Sequence, residues 1–384
     1  MKKAVIITGD KYPCGDAGAI RQHALAKILQ SLGYEVLVAG YGEPTGKTEK
    51  EFERVKYKSF RTSSDNKLVR LFARAFFGQR VMHYIRKEHS DADLFLVVDV
   101  LPYAYRKIKS YAEKRRIKLL HDSVEWYSPE EFSGGEKNIE YRLKEITNTK
   151  LIKGSWRVIA ISTFLQEHFE KACERVARIP VIMDTGSIEY RTKVEPEEKI
   201  RFVYAGAPGW KDYLREVVSG FARLSPEELD RLEIHFIGIT KEQLKNGCRV
   251  EELDLQKLEK VLYAHGRVPH AEAVEWVKKA DYTLLARDAS LRYAKAGFPT
   301  KIVESLSCGT PPVCNLSSDL ALYLKDGENA FLADSHLPED FAAALRKALS
   351  VSAEQRGAMR IAARKTAEEQ FDYKVYTESL KSLI

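Results

Sequence analysis

Residues 296–313 read AGFPTKIVESLSCGTPPV and are predicted to form a loop, a short helix, a glycine stop and a buried strand. Thr300 is predicted to be the helix N-cap, and Gly309 the left-handed residue that ends the helix. Lys301 and Glu304 stand three residues apart, so they share one helix face. Lys301 and Glu304 therefore make a compact polar site, to which the helix N-terminus adds bare N–H groups that suit a phosphate. The alternative is a surface ion pair between Lys301 and Glu304, contributing roughly a few tenths of a kcal/mol.

Length and composition set broad limits on what the chain can be. At 384 residues, two domains are expected, and 44% hydrophobic with 30% charged residues is typical of globular proteins. We find no run of about 18 apolar residues that predicts a membrane-spanning helix. The five cysteines lack the spacing of a zinc site, which predicts reduced thiols and a cytoplasmic protein. The net charge of +7 admits nucleotides, lipid headgroups or nucleic acid, but without clustered aromatic and basic motifs nucleic-acid binding is disfavoured.

The amino-terminal half begins with a strand, helix and strand pattern that is typical of a parallel sheet. Residues 3–8 and 35–39 are apolar and β-branched, and the intervening helix carries apolar residues at helical spacing. The loop between the first strand and that helix contains Gly15 and Gly18 but lacks the complete G-x-G-x-x-G pattern. A nicotinamide site is therefore only weakly supported, and the glycines serve either a ligand loop or simply a tight turn.

Two short motifs in this half carry side chains that could bind a substrate or a metal. His121 and Asp122 end the predicted strand 117–121, and open α/β sheets bind ligands at carboxyl strand ends. A lone histidine is also often structural, so both roles remain open for His121. The one Asp-x-Asp motif, Asp91-Ala-Asp93, precedes the predicted strand 94–99 and therefore lies at the wrong end of the sheet for a substrate metal. We predict activity without a metal.

Residues 67–87 form a basic amphipathic pattern, with apolar residues interleaved with lysines and arginines. This pattern is typical of an interfacial helix that contacts anionic lipid. The alternative is a helix packed on the core with a solvated basic face. Gly78 is expected to interrupt or bend the helix.

A second α/β series follows a polar stretch at residues 184–199, which we interpret as a linker with a boundary near Thr192. A strand at 201–206 leads into a turn that ends at Lys211, next to the start of a helix. Further strands and helices alternate up to residue 313. The two halves therefore predict two Rossmann-like, doubly wound parallel sheets facing across a cleft, with ligands at the carboxyl ends of the strands.

Four segments together resemble the family-four retaining glycosyltransferases of the GT-B fold, also called glycosyl transferases group 1. They are Gly18–Leu29, Phe202–Asp212, His265–Val268 and the Phe298–Pro311 segment described above. The resemblance covers nearly the whole chain. It implies an acceptor-binding domain at residues 1–190, a nucleotide-sugar donor-binding domain at 191–365, and a terminal helix at 366–384 that crosses back to the first domain.

The resemblance also implies roles for individual residues. Those assigned to catalysis are His121, Lys211 and Glu304, where Lys211 binds the donor diphosphate and Glu304 contacts the donor ribose. Those assigned to donor binding are Gly18, Gly206, Arg267, Val268, Thr300, Lys301 and Glu304. Asp16 and Asp122 are assigned to the acceptor.

Two positions depart from the family pattern. A glutamate that usually faces the transferred sugar is Ala296 here, and an arginine that often follows the strand glycine is Ala207. Either Arg287 or Arg292 is a candidate for the missing cation, because both lie near the donor helix in sequence.

The implied function is transfer of a sugar from a nucleoside-diphosphate sugar to a glycan or lipid-linked acceptor in surface polysaccharide synthesis. The implied reaction retains the anomeric configuration and needs neither a metal nor another cofactor. Peripheral contact with the inner face of the cell membrane is expected to accompany it. Two alternatives stay open: a sugar-nucleotide epimerase of the same fold, and a non-catalytic nucleotide-sugar binding protein.

Overall fold

The computed structural model describes residues 2–13, 17–61, 67–192, 199–207 and 211–384, with side chains omitted for 61 and 67–75. The chain divides into two compact units. The first contains residues 1–183 and 373–384, and the second contains residues 184–372. No helix in the described ranges is both long and apolar enough to span a bilayer.

The first unit is built on a sheet of mostly parallel strands. Its strands are β1 (Lys2–Lys11), β2 (Tyr34–Gly42), β3 (Lys50–Phe52), β4 (Val55–Arg61), β5 (Leu94–Val98), β6 (Lys118–Ser123), β7 (Gly154–Ala160) and β8 (Cys173–Arg178). They pair in the order β3-β4-β2-β1-β5-β6-β7-β8, and β3 alone among them runs antiparallel to its neighbour. The strand order reverses between β1 and β5, so this is the ligand-binding switch point expected of a doubly wound sheet.

Five helices in the described part of this unit connect these strands. They are α1 (Ala17–Ser31), α2 (Lys67–Glu88), α3 (Pro102–Arg115), α4 (Ile139–Ile146) and α5 (Thr163–Glu170). The predicted interruption of α2 at Gly78 is wrong, because α2 is continuous through that residue. Gly78 instead permits close packing, since a Cβ there would lie 2.5 Å from the Cβ of Ala104 in α3.

The second unit contains a parallel sheet and its surrounding helices. Its strands are β9 (Ile200–Ala205), β10 (Leu232–Ile237), β11 (Leu262–Gly266), β12 (Tyr282–Leu285), β13 (Pro312–Asn315) and β14 (Phe331–Ala333). They pair in the order β11-β10-β9-β12-β13-β14, which reverses between β9 and β12. The predicted doubly wound architecture is therefore confirmed in both units, apart from the antiparallel edge strand β3.

Helices cover both faces of the second sheet. They are α6 (Leu214–Ala222), α7 (Pro226–Leu229), α8 (Glu252–Lys257), α9 (His270–Lys279), α10 (Arg292–Ala296), α11 (Thr300–Ser307), α12 (Pro338–Ser350) and α13 (Ala353–Gln370). Fully buried aromatic side chains, including Phe202, Phe221, Phe236 and Phe341, fill the core between helices and sheet. Gly309 follows α11 with φ of +68°, which confirms the predicted left-handed helix stop.

Buried arginines of α13 fix the carboxyl ends of two other helices. Arg360 donates to the carbonyls of Lys278 (2.8 Å) and Ala280 at the end of α9. Arg364 donates to the carbonyl of Ser307 at the end of α11. Carbonyls at helix ends lack partners within their own helix, so these guanidinium groups satisfy them and set the positions of α9 and α11.

The chain returns to the first unit after residue 372. There the short helix α14 (Thr377–Lys381) packs beside α1, and the side chains of Leu380 and Leu383 join the apolar core that includes Leu25. The terminal segment thus contributes side chains to the hydrophobic core of the first unit.

Candidate functional site

Glycines mark the carboxyl ends of three adjacent strands in the second unit. Gly206 follows β9, Gly238 follows β10, and Gly266 ends β11. The amide of Gly238 donates to the Gly266 carbonyl at 2.7 Å, and a Cβ at Gly238 would collide with the carbonyl oxygen of Gly206. Because Gly238 also has φ of +95°, only glycine fits there without strain. Glycine at position 238 therefore lets the ends of these strands pack closely against one another.

Lys301 lies directly over one of these glycines. A Cβ at Gly206 would collide with Cε of Lys301, so the absence of a side chain at Gly206 makes room for the lysine. Lys301 belongs to the first turn of α11, which starts at Thr300. The structure thereby brings together two residues predicted from separate sequence segments.

The ammonium group of Lys301 contacts a buried carboxylate, Asp212. Nζ of Lys301 lies 2.6 Å from Oδ2 of Asp212, and Nε of Arg287 lies 3.2 Å from Oδ1. The hydroxyl of Tyr204 donates to Oδ2 at 2.9 Å. Only 4% of the Asp212 side chain is exposed, whereas 29% of the Lys301 side chain is. The carboxylate is enclosed while the lysine remains accessible.

The two cations control the protonation of this cluster. Burial raises the pKa of Asp212, but the charges of Lys301 and Arg287 outweigh burial and hold the pKa at about 2. Burial and then the neighbouring Asp212 raise the pKa of Tyr204 well above its ordinary value of 10.0. At neutral pH the cluster therefore contains an ionised aspartate and a protonated tyrosine.

The backbone around Arg287 is fixed by an amide side chain. Oδ1 of Asn315 accepts from the Arg287 amide at 2.9 Å, and Nδ2 of Asn315 donates to the Arg287 carbonyl at 2.8 Å. Nearby, the amide of Tyr213 donates to the carbonyl of Ala286 at 2.9 Å. Side chains and backbone thus join the segments that follow β9, β12 and β13.

Glu304, one turn further along α11, faces the first turn of α9. Its Oε1 lies 3.3 Å from Nε2 of His270, and this hydrogen bond raises the pKa of His270. The loop before α9 contains Arg267, which is exposed, and Val268, which packs in an apolar cluster with Cys308. The segments predicted to meet a nucleotide base and its ribose therefore lie side by side.

Two expectations for the start of α11 need correction. The helix begins at Thr300 with Pro299 as the N-cap residue, and no side chain caps it, so the prediction of Thr300 as N-cap is wrong. Proline fits because its fixed φ already suits the residue that precedes a helix. The alternative of an ion pair between Lys301 and Glu304 is also wrong. Lys301 pairs instead with Asp212, and Glu304 with His270.

Lys211 comes just before Asp212, after the undescribed residues 208–210. Its Nζ lies 5.5 Å from the ring centroid of Tyr293, and its carbonyl accepts from the Tyr293 hydroxyl at 3.1 Å. Lys211, the predicted diphosphate ligand, is therefore the sequence neighbour of the residue at the centre of the cluster, Asp212.

In the first unit, His121 lies inside the protein. Its Nδ1 is 3.2 Å from both the hydroxyl of Tyr105 and the carbonyl of Val97, and its ring packs against Trp156 and Phe169. Burial lowers its pKa to about 4, so the imidazole is neutral at pH 7. These contacts favour a structural role, and the catalytic role stays a prediction.

Asp122 forms a buried ion pair. Its two carboxylate oxygens accept from Nε and Nη2 of Arg21 at 2.8–3.1 Å. Arg21 also donates to the carbonyl of Ile179 at 3.1 Å, so the pair connects α1, β6 and the segment after β8. Acceptor binding by Asp122 stays a prediction.

Gly18 lies in the first turn of α1, where a Cβ would come 2.5 Å from a carboxylate oxygen of Asp10. Asp10 in turn accepts from Nε2 of Gln22 at 2.6 Å. The predicted acceptor residue Asp16 lies outside the described residues. Asp10 is a carboxylate at this strand end that the sequence analysis did not single out.

The Asp-x-Asp motif lies at the amino end of β5, as expected. There Nζ of Lys3 lies 2.6 Å from Asp91, and the Lys3 amide donates to Asp93 at 2.7 Å. Within the described ranges, no group of three or more histidine, cysteine or acidic residues is arranged to hold a metal.

Sequence reasoning missed the residues that organise the site: Tyr204, Asp212, His270 and Asn315. One signal was available for Asp212, since it directly follows the predicted phosphate ligand Lys211. Tyr204 offered another, as a hydroxyl-bearing side chain in the otherwise apolar stretch 202–206.

Comparison with known proteins found one matching family model and several similar solved structures. The model of the family "Glycosyl transferases group 1" matches residues 188–366. None of the curated proteins matches the sequence at a significant level.

Solved structures resemble the chain over nearly its full length. A sucrose-phosphate synthase from Thermosynechococcus elongatus has a TM-score of 0.78 and 13% identity, with 100% of this chain and 98% of that chain covered. HepE from Anabaena, in complex with UDP and glucose, has a TM-score of 0.67 and 16% identity, with coverage of 100% and 99%. WaaG, a glycosyltransferase involved in lipopolysaccharide biosynthesis, has a TM-score of 0.68 and 13% identity, with coverage of 99% and 98%. These likenesses establish the GT-B fold.

The protonation of Asp212 provides a direct test of the cluster. In a ¹³C NMR titration, the carboxyl signal that disappears in Asp212→Asn should titrate near pH 2, below the ordinary 3.8. Because the folded-state pKa is lowered, the stabilisation is present above pH 3.8 and is lost as the pH falls towards 2. Lys301→Met should raise this pKa. A midpoint at or above 3.8 in the wild type would show that the cations do not control the carboxylate.

Proposed function

We propose that the protein is a retaining glycosyltransferase, because residues 188–366 match the model of the family of glycosyl transferases group 1. It transfers a sugar from a nucleoside-diphosphate sugar to a glycan or a lipid-linked acceptor, in the synthesis of surface polysaccharide. UDP-glucose is the first donor to test, since HepE was solved in complex with UDP-glucose.

One observation supports this proposal most strongly. Three segments that are far apart in sequence meet at the carboxyl edge of the second sheet: residues 204–207 with 211–212, residues 265–270 and residues 300–304. The edge lies at the switch point of a doubly wound sheet, where such folds bind nucleotides. All three segments fall within the range that the family model matches.

In this proposal the cations stabilise the leaving group. Cleavage of the bond between the anomeric carbon and the phosphate oxygen develops negative charge on the nucleoside diphosphate. Lys211 and Lys301 supply positive charge at the strand ends, so we propose that the reaction proceeds without a metal or other cofactor. Preorganised charges of this kind often provide the largest single contribution to catalysis.

The nucleoside end of the donor fits the neighbouring pair of helices. Glu304 can accept hydrogen bonds from ribose hydroxyls, and Nε2 of His270 lies 3.3 Å from its carboxylate. Arg267 and Val268 lie in the loop before α9, and we propose that they contact the base. Lys301 lies over Gly206, so we propose that the diphosphate meets the lysine at this strand end.

The acceptor hydroxyl attacks the anomeric carbon from the face that the nucleotide leaves. The new bond joins the acceptor oxygen to that carbon, and the departing phosphate oxygen takes the hydroxyl proton. This step retains the anomeric configuration and needs no protein nucleophile. His121, Asp16 and Asp122 remain our proposed contacts for the sugar and the acceptor, and Gly18 our proposed donor contact in the first unit.

Lys211→Ala should reduce turnover of the preferred nucleotide sugar by about 100-fold or more, because one stabilising cation is lost. The measurement is release of nucleoside diphosphate together with the anomeric configuration of the product by NMR. Lys365→Ala is the matched control, since Lys365 is 70% exposed and pairs only with Glu369 among the described residues.

The alternatives give different results in the same assay. Unchanged turnover of every nucleotide sugar in Lys211→Ala would refute the assignment. Conversion of the donor without any acceptor would instead identify an epimerase. Donor binding without hydrolysis or transfer would identify a binding protein.

We propose that the protein acts in the cytoplasm, at the inner face of the membrane that carries a lipid-linked acceptor. The proposal depends on the basic amphipathic sequence of α2, in which Arg80 and Arg86 are among the residues whose described side chains are exposed. Sedimentation with vesicles containing anionic lipid should show binding that weakens as salt is added. Replacing Arg80 and Arg86 by glutamine should weaken it further. If the wild type shows no salt-sensitive binding, the membrane contact is wrong.

A further inference from the structure

The switch point of the first sheet carries an accessible carboxylate that none of the assigned roles uses. Asp99 directly follows β5, one of the two strands between which the strand order reverses. Its side chain is 40% exposed. His121 and Asp122, on the neighbouring strand β6, are enclosed, at 4% and 1% exposed. Asp99 is therefore open to a ligand at a strand end where His121 and Asp122 are not.

The backbone of Asp99 is held in an uncommon conformation. Its φ is +45°, in the left-handed region that residues other than glycine seldom adopt. The end of β1 passes directly against it, since a Cβ at Gly9 would lie 1.8 Å from the carbonyl oxygen of Asp99. Strained backbone of this kind persists only where the surrounding structure holds it, and it clusters at binding and catalytic sites. The conformation of Asp99 thus favours a role in ligand binding.

A lysine from α4 orients the carboxylate. Nζ of Lys144 lies 2.8 Å from Oδ1 of Asp99. The same ammonium group lies 4.4 Å from the ring centroid of Tyr127 and 3.4 Å from its hydroxyl. The Lys144 side chain is 23% exposed, less than that of Asp99. The carboxylate is therefore the more accessible member of the pair, and the lysine and the ring fix its direction.

We propose that Asp99 accepts a hydrogen bond from the attacking hydroxyl of the acceptor, that Lys144 is its positioning residue, and that the acceptor ends in a neutral sugar. The inference rests on the proposed function, because it presumes transfer to an acceptor. An ionised carboxylate accepts hydrogen bonds and donates none, so it binds a hydroxyl and repels a phosphate. Asp99 orients the hydroxyl, whose proton still passes to the departing phosphate oxygen.

This preference places the protein within a reaction sequence. An acceptor with a sugar hydroxyl at its end must already carry a sugar. Where the acceptor is attached to a lipid, an earlier transfer to the lipid phosphate must supply that sugar. The protein then extends a glycan and does not begin one.

The test compares two classes of acceptor with the preferred nucleotide sugar. The neutral probes are octyl glucoside, octyl galactoside and octyl mannoside, and the anionic probe is undecaprenyl phosphate. The wild type should glycosylate an octyl glycoside and leave undecaprenyl phosphate unchanged. Asp99→Asn should lower kcat/KM for that glycoside by about 10-fold to 100-fold, the effect of losing a hydrogen bond to a charged group. Calorimetric binding of the nucleotide sugar should be unchanged.

Two further variants separate positioning from general damage. Lys144→Met should raise the KM for the glycoside by about threefold to tenfold with little change in kcat, because the carboxylate is no longer preorganised. Lys144→Arg keeps a cation and should restore most of the loss. Asp91→Asn is the matched control, since Asp91 lies 2.6 Å from Lys3 at the opposite end of β5. It removes an ion pair of the same kind and should leave acceptor kinetics as in the wild type.

The outcomes separate this inference from the proposed function. If the wild type turns over no nucleotide sugar, the proposed function fails and this inference with it. Only this inference fails if the wild type glycosylates undecaprenyl phosphate, uses none of the octyl glycosides, or is matched in glycoside transfer by Asp99→Asn. Equal losses of nucleotide-sugar binding and glycoside transfer in Asp99→Asn would show a structural role and also refute it.

Folding of the variants is checked by near-ultraviolet circular dichroism. Asparagine suits position 99, because it adopts the left-handed conformation more readily than most residues. If Asp99→Asn does not fold, Asp99→Gly takes its place, since glycine adopts a φ of +45° without strain. Wild-type acceptor kinetics in the folded glycine variant would overturn the proposal.

Discussion

A single buried carboxylate connects the parts of the candidate site. Asp212 lies where β9 ends, and it binds Lys301 from α11 and Arg287 from the end of β12. An ionised group in a low-dielectric interior is costly unless opposite charges and hydrogen bonds compensate it. Once Asp212 is ionised, the two cations must therefore remain close to it. This requirement fixes the positive charge at the switch point of the sheet.

Other contacts in the second unit fix the positions of α9 and α11 relative to this cluster. Site residues lie near the amino ends of α9 and α11, whereas Arg360 and Arg364 of α13 bind carbonyls at the carboxyl ends of the same helices. Burial lowers the pKa of Arg360 to about 10, so its charge persists at neutral pH. The two ends of each helix are thus fixed by different parts of the chain, and the relative position of His270 and Glu304 follows.

Local sequence patterns predicted the elements well, but they could not reveal the partners of polar side chains. The stop at Gly309, for example, follows from the conformational freedom of glycine. The pair of Asp212 and Lys301 joins residues 89 positions apart. Spacing within one helix instead suggested a pair of Lys301 with Glu304. The partner of a polar side chain depends on which segments the strand order of the sheet brings together. Sequence patterns within one segment do not reveal this order.

We propose that Lys301 contacts the phosphates of a nucleoside diphosphate and that Glu304 contacts its ribose. A crystal structure with the preferred nucleoside diphosphate bound tests it most directly. Phosphate oxygens should lie within about 3.2 Å of Nζ of Lys301, with the backbone at Gly206 close by, and ribose hydroxyls should lie within the same distance of the Glu304 carboxylate. A nucleotide bound elsewhere, with Lys301 contacting only Asp212, would contradict the account.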